Sequence, residues 1–372
     1  MKKALLDGAL IDLTKLTKPE MVNMNRNQRF MCEKCRQPVV FKHGTRKQAH
    51  FAHMKAGIGE TQPESVAHKL VKEVVARWLR HQGIQATVEH NFPKINRIAD
   101  VYFKYQNEGY VFEIQKSPMS ETEFRKRILD YRRVGIKIIW IFLGELKRQD
   151  NTYRLPPVMQ ARSVDKLIHF CTASANVTIF ENPVYVSTKE IYGQAIYKRL
   201  RSLDVQDVLK KPRIHMYVNK QWLDIKWHFR KQGWFFVSKS ERKLVEQCLM
   251  RGFNLAQLPS EVGWPVPGNG INKHLFVWQT YVIVGIMKFF HIGGFFGAHD
   301  IKVILQREYN VKCKEGAHMQ IKQYLMWLVM FEILERVDNY FEYVNKPGLN
   351  TNMEACLKRD ELLVGRGVSS MW

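Results

Sequence analysis

Acidic residues are in short supply in this chain: 35 Asp and Glu stand against 58 Lys and Arg, a formal charge of +23 over 372 residues. Such an imbalance points to a polyanionic partner, whose binding draws most of its free energy from phosphate neutralisation and counterion release. Long hydrophobic runs are missing as well. No eighteen consecutive apolar residues occur, which excludes an ordinary membrane span, and no Lys-rich amphipathic helix stands at a terminus. The most apolar stretches, 275–287 and 325–333, are short and carry Gln279, Thr280 and Glu332, so buried helices are expected there. The opening MKKALLDGAL has a basic start but no sustained apolar segment or small-residue cleavage site, and no signal peptide is expected. Cysteine is too sparse for a disulfide framework: of six, Cys171, Cys248, Cys313 and Cys356 are scattered and read as reduced thiols. A cytoplasmic protein is the expectation. Repeats and low-complexity tracts are absent too, so the chain is expected to fold almost throughout.

What is present is a globular composition, 45% hydrophobic and 25% charged, long enough for two or three domains. Residues 1–56 read as a polar, loop-rich Cys/His segment with little core of its own. Residues 57–165 carry a strong alternation of elements. A helix begins near Pro63, with Ala67, Leu70, Val71, Val74, Val75, Trp78 and Leu79 at helical spacing, and Gly83 ends it. Strands follow at 85–92, 97–106 and 109–117, the last two forming a hairpin about Asn107. Ser120 and Glu123 make a capping box that opens a helix running to about Arg133, and Gly135 separates it from a buried strand at 137–144. This order describes an α/β sandwich. Residues 145–190 are expected to be poor in strands, and 166–372 to form a mainly helical domain of unknown role.

Two carboxylates on the hairpin carry the chemistry. Asp100 lies on one strand and Glu113 on the next, with position 100 expected opposite about 114, within one residue of register. Glu113 and Gln115 share a strand face, because side chains alternate with period two. Carboxylates held side by side can chelate Mg²⁺ or Mn²⁺, and such an ion can polarise a phosphate and activate water for phosphodiester hydrolysis. Two carboxylates on a solvated sheet face are the competing explanation. Glu64, His68 and Lys72 form a stripe along the preceding helix. Glu64 is a candidate third carboxylate, or else closes a capping box with Thr61. His68 either orients water or phosphate, or is structural.

The helix after the hairpin is basic. Arg125 and Arg132, seven apart, share a face and are candidates to grip successive phosphates, as are Arg127 on the same helix, Arg97 before Asp100, and Lys72. The alternative is a solvated helix surface. In the N-terminal segment, Cys32, Cys35, His50 and His53 supply the donor types of a tetrahedral Zn²⁺ site. CEKC is the specific half of that signal. The two-residue spacing in AHFAH is tighter than usual, His43 is a rival ligand, and reduced thiols beside core histidines would explain the same residues.

Asp100, twelve intervening residues, then Glu113-Ile114-Gln115 within this order of elements resembles the PD-(D/E)xK nuclease superfamily, most of whose members have Lys where this chain has Gln115. CEKC, AHFAH, ESVAHKLVK, RIADVYF, FEIQKSPMS, FRKRILDYRRVG and IIWIF resemble, more closely, the CoiA family of competence proteins. The resemblance is strong over about residues 25–145, and VGWPVPG adds a weaker familial segment. It implies a restriction-endonuclease-like α/β core, to which the residues read above add a zinc-ribbon-like N-terminus and a mainly helical C-terminal domain. It also implies a cytoplasmic factor that promotes transformation by acting on imported DNA or its recombination, and single-stranded DNA is the expected substrate. Three functions follow as expectations: a DNase needing Mg²⁺ or Mn²⁺, a DNA-binding protein that keeps the fold without the chemistry, and an adaptor for recombination proteins working through the aromatic C-terminal domain.

Overall fold

A computed structural model of the chain describes residues 3–24, 29–33, 38–42, 49–53, 66–160, 165–212, 218–232, 242–350 and 352–369. The chain divides into two compact units, 1–66 and 67–372. Within the first, strands β1 (Lys3–Leu6) and β2 (Ala9–Asp12), a short helix α1 (Lys18–Asn23), and strands β3 (Phe30–Met31), β4 (Pro38–Lys42) and β5 (His50–His53) build one antiparallel sheet in the order β2-β1-β3-β4-β5. Phe30, Phe41 and Phe51 pack ring against ring with Ala4, Leu13, Cys32 and Val39. The segment expected to be loop-rich with little core therefore has both a sheet and an apolar centre. Its three phenylalanines come from three different strands, so no local periodicity announces them.

All but the first residue of α2 (Val66–His81) belongs to the second unit; its apolar stripe Val71, Val75, Trp78 and Leu79 is buried, and Gly83 with φ +75° follows it. Strands β6 (Ala86–Phe92), β7 (Arg97–Tyr105) and β8 (Glu108–Gln115) are antiparallel neighbours. Gln106 and Asn107 turn the β7–β8 hairpin, both with positive φ, the two-residue geometry that matches strand twist. Helix α3 (Glu121–Arg133) starts at Ser120, whose hydroxyl accepts the Glu123 N–H, and returns the chain to β9 (Ile136–Phe142), parallel to β8.

Beyond β9 the structure departs from expectation. Residues 145–190 are rich in strands: β10 (Lys147–Gln149), β11 (Thr152–Arg154), β12 (Lys166–Cys171), β13 (Asn176–Glu181), β14 (Val184–Ser187) and β15 (Glu190–Tyr192), with β16 (Ala195–Arg199) following. The main sheet thus has seven strands in the order β16-β13-β12-β9-β8-β7-β6 and continues well past residue 165; β10, β11, β15 and β14 form a second sheet. β12 and β13 are each buried over four consecutive residues, so they show no polar alternation to read. Helix α2 covers one face of the main sheet over Val101, Phe112, Ile141 and Ile168, while α3 supplies Phe124 and Tyr131 to the other.

From α4 (Val205–Leu209) onward the chain is mainly helical: α5 (Lys220–Gln232), α6 (Arg242–Leu249), α7 (Leu275–Phe289), α8 (Ala298–Arg307), α9 (Ala317–Met330) and α10 (Met353–Ser369). A small sheet of β17 (Phe295–Phe296), β18 (Leu334–Val337) and β19 (Tyr340–Tyr343) accompanies them. The two apolar stretches lie in or beside α7 and α9, and among the described residues no helix is long and apolar enough to cross a membrane. Trp222, Trp264, Trp278 and Trp327 are fully buried in this core.

Candidate functional site

The β7–β8 ladder stops at Val101↔Phe112, and one further step of that register sets Asp100 opposite Glu113. The strands change behaviour at this point. Ala99 packs with Val111 and Tyr131 on the α3 side, whereas Val101 packs with Phe112 on the α2 side, so the alternation of faces switches at Asp100. Glu89, opposite Asp100 in the β6–β7 register, has φ +54°, a left-handed conformation uncommon outside glycine. The Asp100 carboxylate is left at the seam between β7 and β8, where Oδ2 accepts the Ile114 backbone N–H at 2.7 Å.

Helix α2 closes one side of this seam. Lys72 Nζ lies 2.9 Å from Asp100 Oδ1 and 3.3 Å from Glu89 Oε1, and its side chain is only 7% exposed. His68, one turn earlier, places Nε2 2.6 Å from the Ile114 carbonyl oxygen, which can only accept, so Nε2 carries a proton and donates; the same nitrogen lies 3.4 Å from Asp100 Oδ2. Burial alone would raise the Asp100 pKa, but the His68 hydrogen bond, the Lys72 charge and the Ile114 N–H together hold it below the usual carboxylate value. Asp100 is a committed anion.

Helix α3 closes the other side. Glu113 is 2% exposed; its Oε2 accepts from Arg127 Nη1 at 2.7 Å and its Oε1 from the Tyr131 hydroxyl at 2.7 Å. Burial, reinforced by the Asp100 charge, pushes its pKa up to about 7 despite Arg127 and Tyr131. Burial and the neighbouring Glu113 charge raise the Tyr131 phenol in turn. A carboxylate whose ionisation is opposed by a neighbouring carboxylate is in the electrostatic condition a hard cation relieves. Mg²⁺ is commonly held by one or two carboxylates with water completing its shell, so Asp100 and Glu113 fit that donor requirement. Among the described residues no group of three His, Cys, Asp or Glu side chains could hold a metal ion.

The site residues expected from the sequence fall into three groups. Asp100, Glu113, His68 and Lys72 converge, and Lys72, read as a phosphate contact, faces a carboxylate instead. Gln115 lies beside them at the end of β8, its amide nitrogen donating to the Ser117 carbonyl oxygen at 2.5 Å. The arginines are largely committed to protein partners. Arg97 binds Asp130 through Nε and Nη2 and Glu123 through Nη1. Arg127 joins Glu113 and Glu123, and Arg125 joins Glu121 and Glu315. Arg132 is exposed. Glu64 and Cys35 lie outside the described residues, as does the side chain of His53. Cys32 is buried at the end of β3, before the connection to β4; the register sets His53 opposite Val39 at that same end of the sheet, and His50 opposite Lys42, three residues away. Tyr131 reads from the sequence as part of the buried side of α3, and its contact with Glu113 was not anticipated. Its four-residue spacing from Arg127 on α3, facing the Glu113 side of β8, is the signal that would have found it.

Three family models match the chain in succession: competence protein CoiA, N-terminal domain, over residues 13–57; its nuclease-like domain over 64–213; and its C-terminal domain over 217–357. The middle match spans the seven-stranded sheet through β16. No curated protein and no solved structure matches the chain.

Proposed function

The chain belongs to the competence protein CoiA family, and from that premise we propose that its nuclease-like domain is a PD-(D/E)xK-type deoxyribonuclease, dependent on Mg²⁺ or Mn²⁺, that processes imported single-stranded DNA in the cytoplasm. The observation that carries this reading is the pairing of half-buried Asp100 with buried Glu113, whose ionisation the Asp100 charge opposes, with the Lys72 ammonium on Asp100. Asp100 and Glu113 would hold the cation, which when bound polarises the phosphate and lowers the pKa of the attacking water. Lys72 provides the positive charge that Gln115 cannot, close enough to the acidic centre to stabilise negative charge developing on the phosphoryl oxygens. Arg127 and Tyr131 fix the Glu113 carboxylate, and His68 fixes the Ile114 backbone beside Asp100. The net charge of +23 favours a polyanion as substrate. Zinc in the N-terminal segment belongs to the same proposal, as a structural ion held by Cys32 and Cys35 with histidine.

One observation favours a second reading, a DNA-binding protein or recombination adaptor without catalysis: each carboxylate oxygen of the pair already has a protein partner. The experiment is cleavage of single- and double-stranded DNA by purified protein with Mg²⁺ or Mn²⁺, alongside Asp100→Ala and Glu113→Ala. Metal-dependent cleavage lost in both variants establishes the enzyme. Binding without cleavage in any metal selects the second reading.

A further inference from the structure

At the far end of α2 from His68 and Lys72, a cavity of about 650 Å³ opens between the helix, the β12–β13 turn and the end of β16. Arg77 and His81 enter it from α2, Ser174 from the turn, Arg199 from the end of β16 and Arg201 from the segment after it. No carboxylate lines it, and its volume lies within the roughly 300–1,000 Å³ of small-ligand sites. The three arginines are exposed, and none forms an ion pair with a described residue. Arg97, Arg125, Arg127, Arg230 and Arg359, in contrast, all do. A basic residue at a helix C-terminus is ordinarily explained by the helix dipole. That accounts for Arg80, which also donates to the Ala86 carbonyl, but not for Arg199 and Arg201, which arrive from another element.

The floor of the cavity is apolar and fixed. Trp78, Val74 and Leu200 form it; the Trp78 indole donates to the Leu203 carbonyl at 2.9 Å, and Gln82 accepts the Val205 N–H at 2.9 Å. Guanidiniums that need anions, set around an apolar floor, suit a chain of phosphates whose bases are unpaired. A duplex hides its base faces and can use only the charges.

We propose that this cavity is a second nucleic-acid site, holding backbone phosphates through Arg77, Arg199 and Arg201 and an unpaired base against its apolar floor. It rests on the DNA-handling reading above but not on cleavage. Helix α2 links it to the acidic centre: at 1.5 Å per residue, His68 and His81 are separated by about 20 Å along the axis. A single strand engaged at both places would be held in a defined direction across the domain.

The test measures binding of a labelled single-stranded oligothymidylate, and of a duplex of equal length, across a salt series in EDTA. The proteins compared are wild type, the Arg77→Ala/Arg199→Ala/Arg201→Ala variant, and a charge-matched Arg336→Ala/Lys346→Ala/Lys358→Ala control. Losing three phosphate contacts lowers the single-strand salt slope by about 2, with affinity at low salt falling at least tenfold and the control little changed. Equal melting temperatures, together with single Arg77→Gln and Arg199→Gln proteins giving partial losses, exclude misfolding. A triple variant that binds single strands no worse than the control overturns the proposal, whether or not the protein cleaves. Equal losses for single strand and duplex overturn its unpaired-base part. Wild-type protein that cleaves no DNA, with the triple variant still losing single-strand affinity, overturns the nuclease reading and leaves this site standing.

Discussion

Lys72 Nζ sits 2.9 Å from Asp100 Oδ1, so a helix delivers to the acidic centre the ammonium that β8 does not, Gln115 being neutral. A cation near the scissile phosphate stabilises charge that develops in the transition state, and removing one such donor costs about 10²–10³ in rate. Lys72→Ala should therefore slow DNA cleavage by about two orders of magnitude. The same change also strips a partner from buried Asp100, so a loss by itself does not separate chemistry from stability. The Lys72→Ala/Gln115→Lys protein does: it should regain part of the rate at an unchanged melting temperature. Single-turnover kinetics that show no recovery, with metal binding intact, would remove Lys72 from the chemistry.

The second prediction concerns pH. Glu113 has its pKa raised from an ordinary 4.5 to about 7 by burial and by the Asp100 charge. The folded chain holds this proton more tightly than the unfolded chain, so the group's contribution to stability is present at low pH and is lost as pH rises from about 4.5 to 7. A metal needs the carboxylate free of its proton, so Mn²⁺ affinity should climb about tenfold per pH unit below 7 and level off above it. Isothermal titration from pH 5.5 to 8 checks this. Glu113→Gln should abolish both the affinity and its pH dependence, and a pH-independent Mn²⁺ affinity in wild type would place the metal elsewhere.

The hairpin and its carboxylates were legible because alternation, a turn and a capping box lie close together in sequence. Asp100 is expected opposite about 114, and one further step of the β7–β8 ladder sets it opposite 113. The partners of those carboxylates were harder to read. Arg127 looks like any basic residue on an exposed helix until α3 is laid against β8, when it faces Glu113. β12 and β13, each buried over four residues in a row, lack the alternation that marks a strand, so the sheet looked finished at β9. Tryptophan was easier. Of the five C-terminal tryptophans that read mostly as core, Trp222, Trp278 and Trp327 are fully buried, Trp227 is half-buried and Trp234 lies outside the described residues, so an adaptor surface is to be sought mainly among other residues.

Zinc gives the third prediction, sharpened by strand register. His53 pairs with Val39 at the end of β4 nearest Cys32, whereas His50 pairs with Lys42, about 10 Å further along at strand spacing. Purified protein should carry about one Zn²⁺ per chain, with Cys32→Ser, Cys35→Ser and His53→Ala each releasing it. His50→Ala should retain it. Elemental analysis of the four variants decides the ligand set, and metal-free wild-type protein prepared without chelators would rule out the site.

Asp360 carries the last prediction. Its Oδ1 lies 3.0 Å from Lys226 Nζ and accepts from Arg230 Nη2 at 2.8 Å, while Oδ2 accepts from Arg230 Nε at 2.7 Å; the three side chains are 0%, 1% and 3% exposed. Lys226 also donates to the Ser260 carbonyl and lies over the Trp264 ring, so the cluster ties α10 and α5 to the loop between α6 and α7. Burial lowers the Lys226 pKa to about 8, against the pull of Asp360. Removing the carboxylate that bridges both cations strands two buried positive charges, a change that typically costs about 3–5 kcal/mol. Asp360→Ala should lower unfolding stability by that amount in urea, whereas Lys358→Ala, which breaks an exposed pair with Glu354 on the same helix, should change it by less than about 1 kcal/mol. Because this cluster lies in the C-terminal helices, the Asp360→Ala protein should also lose its cooperative transition there before the seven-stranded sheet unfolds. Equal stabilities for the two variants would mean that water reaches the cluster and screens it.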